Sequence, residues 1–184
     1  NVNYVAKWDG VVWSALGAGM DSLVNALAVD ASNNLYAGGY FATAGGVSAN
    51  YVAKWNGTAW SALGDGMDSV VNALAVDSSN NLYAGGYFST AGGVSANYIA
   101  KWGGGAWSAL GTGMNNIVST LSVDSSNNVY AGGSFSTAGS LSASNIAKWA
   151  GGVWLALGAG MDNRVYALAV DGSGNVFAAG DFLA

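Results

Sequence analysis

The tripeptide Ala-Lys-Trp occurs four times, at residues 6–8, 53–55, 100–102 and 147–149, each 47 residues from the next. A fixed period of this length confines the chain to architectures in which one small unit is copied and stacked against its neighbours. Residues 3–49 and 50–96 are identical at 40 of 47 positions, and the third and fourth copies drift while keeping the frame. No single unit of this size covers its own apolar surface, so the copies must bury one another.

Each copy reads as four short strands between turn signals. In the first complete unit the innermost candidate is Val24-Asn25-Ala26-Leu27-Ala28-Val29, closed by the polar turn Asp30-Ala31-Ser32-Asn33-Asn34. Leu35-Tyr36-Ala37-Gly38-Gly39-Tyr40-Phe41 follows, then a loop containing Gly and Thr, then Asn50-Tyr51-Val52-Ala53-Lys54-Trp55. The Asn56-Gly57 turn leads into Ala59-Trp60-Ser61-Ala62-Leu63, and Asp9-Gly10 is its counterpart one copy earlier; such dipeptides are strong hairpin signals. These segments are too short for helices, which want about ten residues or more. In the innermost strand Leu27 and Val29 share one face and Ala26 and Ala28 the other, so both faces are apolar, one bulky and one small. That pattern suits small sheets stacked face to face rather than a sheet with one wet side.

The Gly pairs closing the second strand (Gly38-Gly39, Gly85-Gly86 and Gly132-Gly133, with Ala179-Gly180 in the last copy) and the Trp8-Asp9-Gly10-Val11-Val12-Trp13 hairpin resemble the kelch blade. The chain is also similar to kelch-like arrays of secreted and surface-anchored bacterial proteins, which combine A-G-G-x-F, A-K-W-D-G-x-x-W and S-A-L-G in this order. The resemblance covers essentially the whole chain and implies an all-β fold, a β-propeller with four-stranded blades and four blade equivalents per chain. Residues 1–184 then form one domain with blades at about 23–63, 70–110 and 117–157. A fourth blade is split, its outer hairpin in 1–22 completing the part begun by 164–184. The split blade closes within one chain, or two copies form an eight-bladed ring, or open head-to-tail addition gives a filament.

Composition excludes more than it suggests. The chain holds ten Asp, no Glu, four Lys and one Arg, for a net charge of −5, and the lysines (Lys7, Lys54, Lys101 and Lys148) come one per copy. Nucleic acid is therefore not an expected partner, since phosphate binding draws on clustered Lys and Arg. Gly and polar residues interrupt every apolar stretch well short of the roughly 18 residues of a membrane helix, so membrane insertion is not expected. Without His or Cys there is no Ser-His-Asp or Cys-His nucleophile, no usual zinc site, and no copper site of the kind found in kelch-fold oxidases. A glycosidase would need two Asp across a sugar bond, and a sialidase needs an arginine cluster where only Arg164 exists. No catalytic residue is assigned, and the chain is expected not to be an enzyme.

Several recurring positions are candidates for binding or structure. Asp21, Asp68 and Asp162, with Asn115 in the third copy, share one repeat position and are the candidate ligand-binding set. Asp30, Asp77, Asp124 and Asp171 open turns with oxygens at alternate positions, as calcium loops do, but they lack the sixth-position Gly and late Glu of an EF-hand. The preferred reading is a hairpin turn in which Asp and Asn bond their own backbone, with no cofactor. The pairs Trp8/Trp13, Trp55/Trp60, Trp102/Trp107 and Trp149/Trp154 are expected to lock the outer hairpin to the next blade rather than to form sugar platforms. Met20, Met67, Met114 and Met161 follow Gly in each copy and are read as gap fillers. The leading functional expectation is a binding or display module, extracellular or cell-surface by resemblance, recognising a protein or a carbohydrate polymer. A self-assembling protomer whose partners are its own copies, or a designed or amplified model repeat protein, is the alternative, and an Asp-dependent glycoside hydrolase ranks last.

Overall fold

A computed structural model describes residues 2–183, and within them every regular element is a β-strand. The first complete blade contains Val24–Val29, Leu35–Gly39, Val52–Trp55 and Trp60–Ala62, paired antiparallel in sequence order. The second runs through Val71–Val76, Leu82–Gly86, Ile99–Trp102 and Trp107–Ala109. The third runs through Val118–Val123, Val129–Gly133, Ile146–Ala150 and Val153–Ala156. Successive first strands pack against one another, which makes them the inner strands of a propeller arc.

Two further hairpins flank these blades: Ala6–Trp8 with Trp13–Ala15, and Val165–Val170 with Val176–Gly180. Among the described residues they remain separate two-stranded sheets. The blade expected from residues 1–22 and 164–184 is therefore not joined, and the arc stands open.

Apolar side chains meet between blades rather than within them. Ala26, Ala28 and Tyr36 of the first blade share a core with Val71, Leu74, Leu82 and Phe88 of the second, and the same contact repeats from the second blade to the third. The Gly pair explains its own sequence. A methyl on Gly38 would lie 2.5 Å from Val71 Cγ1, and one on Gly39 would overlap the carbonyl oxygen of Leu23. One position makes the bulky valine of the next blade fit, and the other lets two strands of one blade close.

The inner strand breaks its regular alternation at one point. The register slips between Val24 and Ala26, which face Gly39 and Gly38, so Asn25 forms a β-bulge. The bulge turns Val24 onto the side of Leu27 and Val29, and it aims Asn25 outward, where its Nδ2 donates to Val71 O of the next blade at 3.2 Å. Asn72 makes the same bond to Val118 O. The loop after the second strand is also more regular than its sequence indicates. Thr43–Ala44 and Val47–Ser48 pair as a miniature hairpin that Met20 bridges at Ala44.

The Gly85→Ala variant tests the interblade fit, because its methyl would stand 2.5 Å from Val118 Cγ1 with no positive φ to complicate the change. It should lose about 1–3 kcal/mol of stability in urea denaturation, as overpacked core substitutions do. Adding Val118→Ala should recover part of that loss.

Candidate functional site

The four candidate ligand-binding positions sit where the connection from one blade enters the next. Asp21 Oδ1 accepts from Ala42 N at 2.9 Å and Thr43 N at 3.1 Å, pinning the miniature hairpin. Asp68 repeats this with Ser89 N and Thr90 N, and Ser89 Oγ donates to Asp68 Oδ2 at 2.5 Å. Asn115 does the same with a neutral amide, accepting from Ser136 N and Thr137 N while its Nδ2 donates to Ser136 Oγ. Asp162 Oδ1 accepts from Leu183 N at 2.9 Å. The Thr43 amide first, then the Ala42 amide and the Thr43 hydroxyl, hold the Asp21 carboxyl below its ordinary value. Burial pushes Asp68 upward, but its hydrogen bonds outweigh that and leave it lowered.

Around this position the third and fourth copies leave a shallow depression of about 260 Å³, lined by Asn115, Ser134, Ser136, Asn145 and Asp162. Hydroxyls, amides and one carboxylate make up most of its lining, with Phe135 and Met161 beside them. One period and two periods earlier, Ser134 is replaced by Tyr87 and Tyr40, which are 42% and 49% exposed. These tyrosines lie outside the candidate set read from sequence. Their signal was the alternation at the repeat position Tyr40, Tyr87, Ser134 and Asp181, where the core-facing neighbours Phe41, Phe88 and Phe135 stay fixed.

The second acidic set lies at the opposite end of the inner strand. Asp30 Oδ1 accepts from Ser32 N and Asn34 N, and its Oδ2 accepts from Asn34 Nδ2 at 2.7 Å and Tyr36 Oη at 3.1 Å. Asp77 and Asp124 make the same four bonds, and Asp171 keeps all but the tyrosine. Each carboxylate is thus engaged by its own turn. Among the described residues no group of three or more acidic, His or Cys side chains is placed to hold a metal ion. Burial raises Asp77, yet the bonds from Asn81, Tyr83 and Ser79 together carry it below its ordinary value. The same environment pushes the Tyr36 hydroxyl up to about 12, through burial first and Asp30 second.

Each Trp pair faces across its hairpin, with ring centroids 5.2–5.6 Å apart. The second Trp reaches the preceding hairpin: Trp60 Nε1 donates to Leu16 O at 2.8 Å, Trp107 to Leu63 O and Trp154 to Leu110 O. Lys54, Lys101 and Lys148 lie over Tyr36, Tyr83 and Tyr130, with Nζ 5.0–5.7 Å from the ring centres. Another grouping breaks the repeat. Arg164 stacks on Tyr166 and donates to Ser119 Oγ at 2.9 Å, while Tyr166 Oη donates to Asp181 Oδ2. All three residues are departures of the fourth copy from the others.

The acidic turns set a pH dependence. The depressed carboxyls of Asp30, Asp77 and Asp124 contribute stability above the ordinary aspartate range, and it is lost as pH falls through their folded values. The raised Tyr36 contributes stability below about pH 10 that is lost as pH rises toward 12. Asp77→Asn places an NH2 group against the Asn81 and Tyr83 donors. It should cost about 1–3 kcal/mol at neutral pH and make the acid limb of a stability–pH curve shallower. Tyr36→Phe should flatten the alkaline limb.

No family model and no curated protein matches this sequence. Solved structures do. The extracellular domain of the BT4673 hybrid two-component system of B. thetaiotaomicron superposes with a TM-score of 0.60 at 11% identity, covering 90% of this chain and 21% of that one. A chain of the mitotic checkpoint complex gives 0.59 at 18% identity, covering 89% and 48%. A protein described as a gluconolactonase gives 0.54 at 14% identity, covering 89% and 58%. The chain spans about a fifth of the BT4673 domain. At these identities the likeness concerns the fold, and the fold is that of a β-propeller.

Proposed function

We propose that the chain is a non-catalytic recognition module of the kelch-like kind, which binds a carbohydrate polymer through several weak, repeated contacts on the loop end of its blades. The observation that carries this reading is the polar depression at Asn115, Ser134, Ser136, Asn145 and Asp162, together with the exposed Tyr40 and Tyr87 at the matching place in earlier copies. An exposed tyrosine offers a flat apolar face for a sugar ring, and neighbouring amides and hydroxyls suit its hydroxyl groups. A polar depression in one copy and exposed tyrosines at the matching place in two others favour a repetitive ligand, because the second contact becomes intramolecular once the first has formed.

The carboxylates support the absence of catalysis in this reading. Asp21 and Asp68 are spent on backbone amides of their own loops, and neutral Asn115 fills the same role, so the position does not require charge. An extracellular or surface location is supported by the resemblance to secreted and surface-anchored kelch-like arrays and by the fold likeness to an extracellular domain.

A glycan array followed by calorimetry on the best polysaccharide tests the proposal. Tyr40→Ala and Tyr87→Ala should each weaken binding about tenfold, a loss in the range of one aromatic contact, with the melting temperature unchanged. The double variant should lose the gain from simultaneous contacts. Absence of any polysaccharide binding at millimolar concentration would overturn it. A protein partner whose binding survives both substitutions would do so equally.

A further inference from the structure

The residue that opens the outer turn differs in every copy: Asp9 in the first, Asn56 in the second, Gly103 in the third and Ala150 in the fourth. The hairpin closes around each of them. Asp9 N donates to Val12 O at 3.3 Å, Asn56 N to Ala59 O at 3.2 Å and Gly103 N to Ala106 O at 3.1 Å, and Ala150 pairs with Val153. Packing therefore leaves the chemistry of this position free.

Among the asparagines of the chain, Asn56 is the one that precedes a glycine. Asn56, Gly57 and Thr58 are all exposed. Gly57 has a φ of +101°, and a methyl placed on it would meet nothing within 4 Å. The Gly57 amide thus sits at an open corner, with no side chain of its own between it and Asn56 Cγ.

Three donors converge on the Asn56 side-chain carbonyl. Thr58 N at 3.0 Å, Thr58 Oγ1 at 2.9 Å and Ala59 N at 2.9 Å all donate to Oδ1. Donors aimed at a carbonyl oxygen stabilise the negative charge that gathers there when a nucleophile adds to its carbon. The Gly57 amide takes part in none of these bonds. In the first copy Asp9 Oδ1 accepts only the two backbone bonds, from Val11 N and Val12 N at 2.8 Å each, because Val11 stands where Thr58 supplies a hydroxyl.

We propose that Asn56 is a site of spontaneous deamidation, promoted by its own turn. Gly57 N gives its proton to hydroxide and bonds to Asn56 Cγ, while the donors on Oδ1 carry the charge of the adduct. The Cγ–Nδ2 bond then breaks, and ammonia leaves with a proton taken from water. A five-membered succinimide results, which water opens at either carbonyl. The balance is one water consumed and one ammonia released, with no oxidant or reductant.

The two products have different fates in this fold. Opening at Cγ gives aspartate, which reproduces Asp9 and a turn that already accepts a carboxylate. Opening at the main-chain carbonyl gives isoaspartate, which adds one carbon to the main chain between Trp55 and Trp60 and turns the Oδ1 acceptor into a main-chain carbonyl. That hairpin carries Trp60, whose Nε1 donates to Leu16 O, and Trp55, which a methyl on Gly17 would touch at 3.4 Å. Isoaspartate therefore loosens the seat between the first two outer hairpins.

The unaltered protein, held at mildly alkaline pH and body temperature, tests this. Tryptic mapping should show an amide exchanged for a carboxyl in the Trp55–Lys101 peptide, with fragment spectra placing it at Asn56 rather than at Asn72, Asn80, Asn81 or Asn97. Isoaspartyl methyltransferase should label the same peptide. Thr58→Ala keeps the Asn-Gly pair and removes one donor; it should slow ammonia release about threefold, less than an enzyme loses with an oxyanion donor because this turn lies in water. Asn56→Asp should melt with the unaltered protein, and the isoaspartyl fraction, separated by chromatography, should melt about 2–4 °C lower. Deamidation absent at Asn56, or no faster there than at the other asparagines, overturns the site. A Thr58→Ala rate equal to or above the original overturns promotion by the turn.

Discussion

Between Gly38 and Val71 there is no room for a methyl group, and the same is true between Gly85 and Val118 and between Gly132 and Val165. The remaining architecture follows from this contact. A blade is too thin to hold a core of its own, so its apolar residues can leave water only by facing the next blade. The bulky row Val71, Leu74 and Val76 needs a shallow surface opposite, which Ala26, Ala28 and Gly38 supply. The bulge at Asn25 then becomes a requirement. Without the register slip Val24 would fall on the small face, and the inner strand would present its bulk to both neighbours.

Polar groups hold the loops that this stacking cannot reach. Asp30 and Asp77 take bonds from their turns, Asp21 and Asp68 from the miniature hairpins, and no buried side-chain polar atom among the described residues lacks a partner. A buried unsatisfied carboxylate would be costly, whereas one that accepts several N–H bonds is held in its charged form. The acidic surplus of this chain is thus an outcome of turn chemistry. The loop end that remains is polar and, at Tyr40 and Tyr87, aromatic.

The period, the strand boundaries and the two-sided burial of the inner strand were legible because each depends on local pattern: Asn-Gly turns, Gly pairs, and Leu27 and Val29 alternating with Ala26 and Ala28. The bulge was not legible, since it recurs at Asn25, Ser119 and Tyr166 alike and so carries no residue signature of its own. The role of Asp21 was also hidden. A recurring carboxylate looks the same in sequence whether it awaits a ligand or accepts from Ala42 N and Thr43 N, and only the folded loop distinguishes the two. Tyr40 was hidden for the converse reason, because it sits inside an apolar run whose neighbours Gly39 and Phe41 are buried.

Repetition also determines where the chain can vary. Interior copies must satisfy a neighbour on each side, so Gly38, Tyr36 and Asn33 recur at 85, 83 and 80 and again at 132, 130 and 127. The last half-blade departs at these same positions, with Ala179, Phe177 and Gly174, and adds Arg164, Tyr166 and Asp181. Arg164 still reaches the third blade by donating to Ser119 Oγ, whereas Phe177 stands exposed. The interior contacts hold the frame, and Ala179, Phe177 and Gly174 depart from the repeat where interblade contacts are not formed among the described residues.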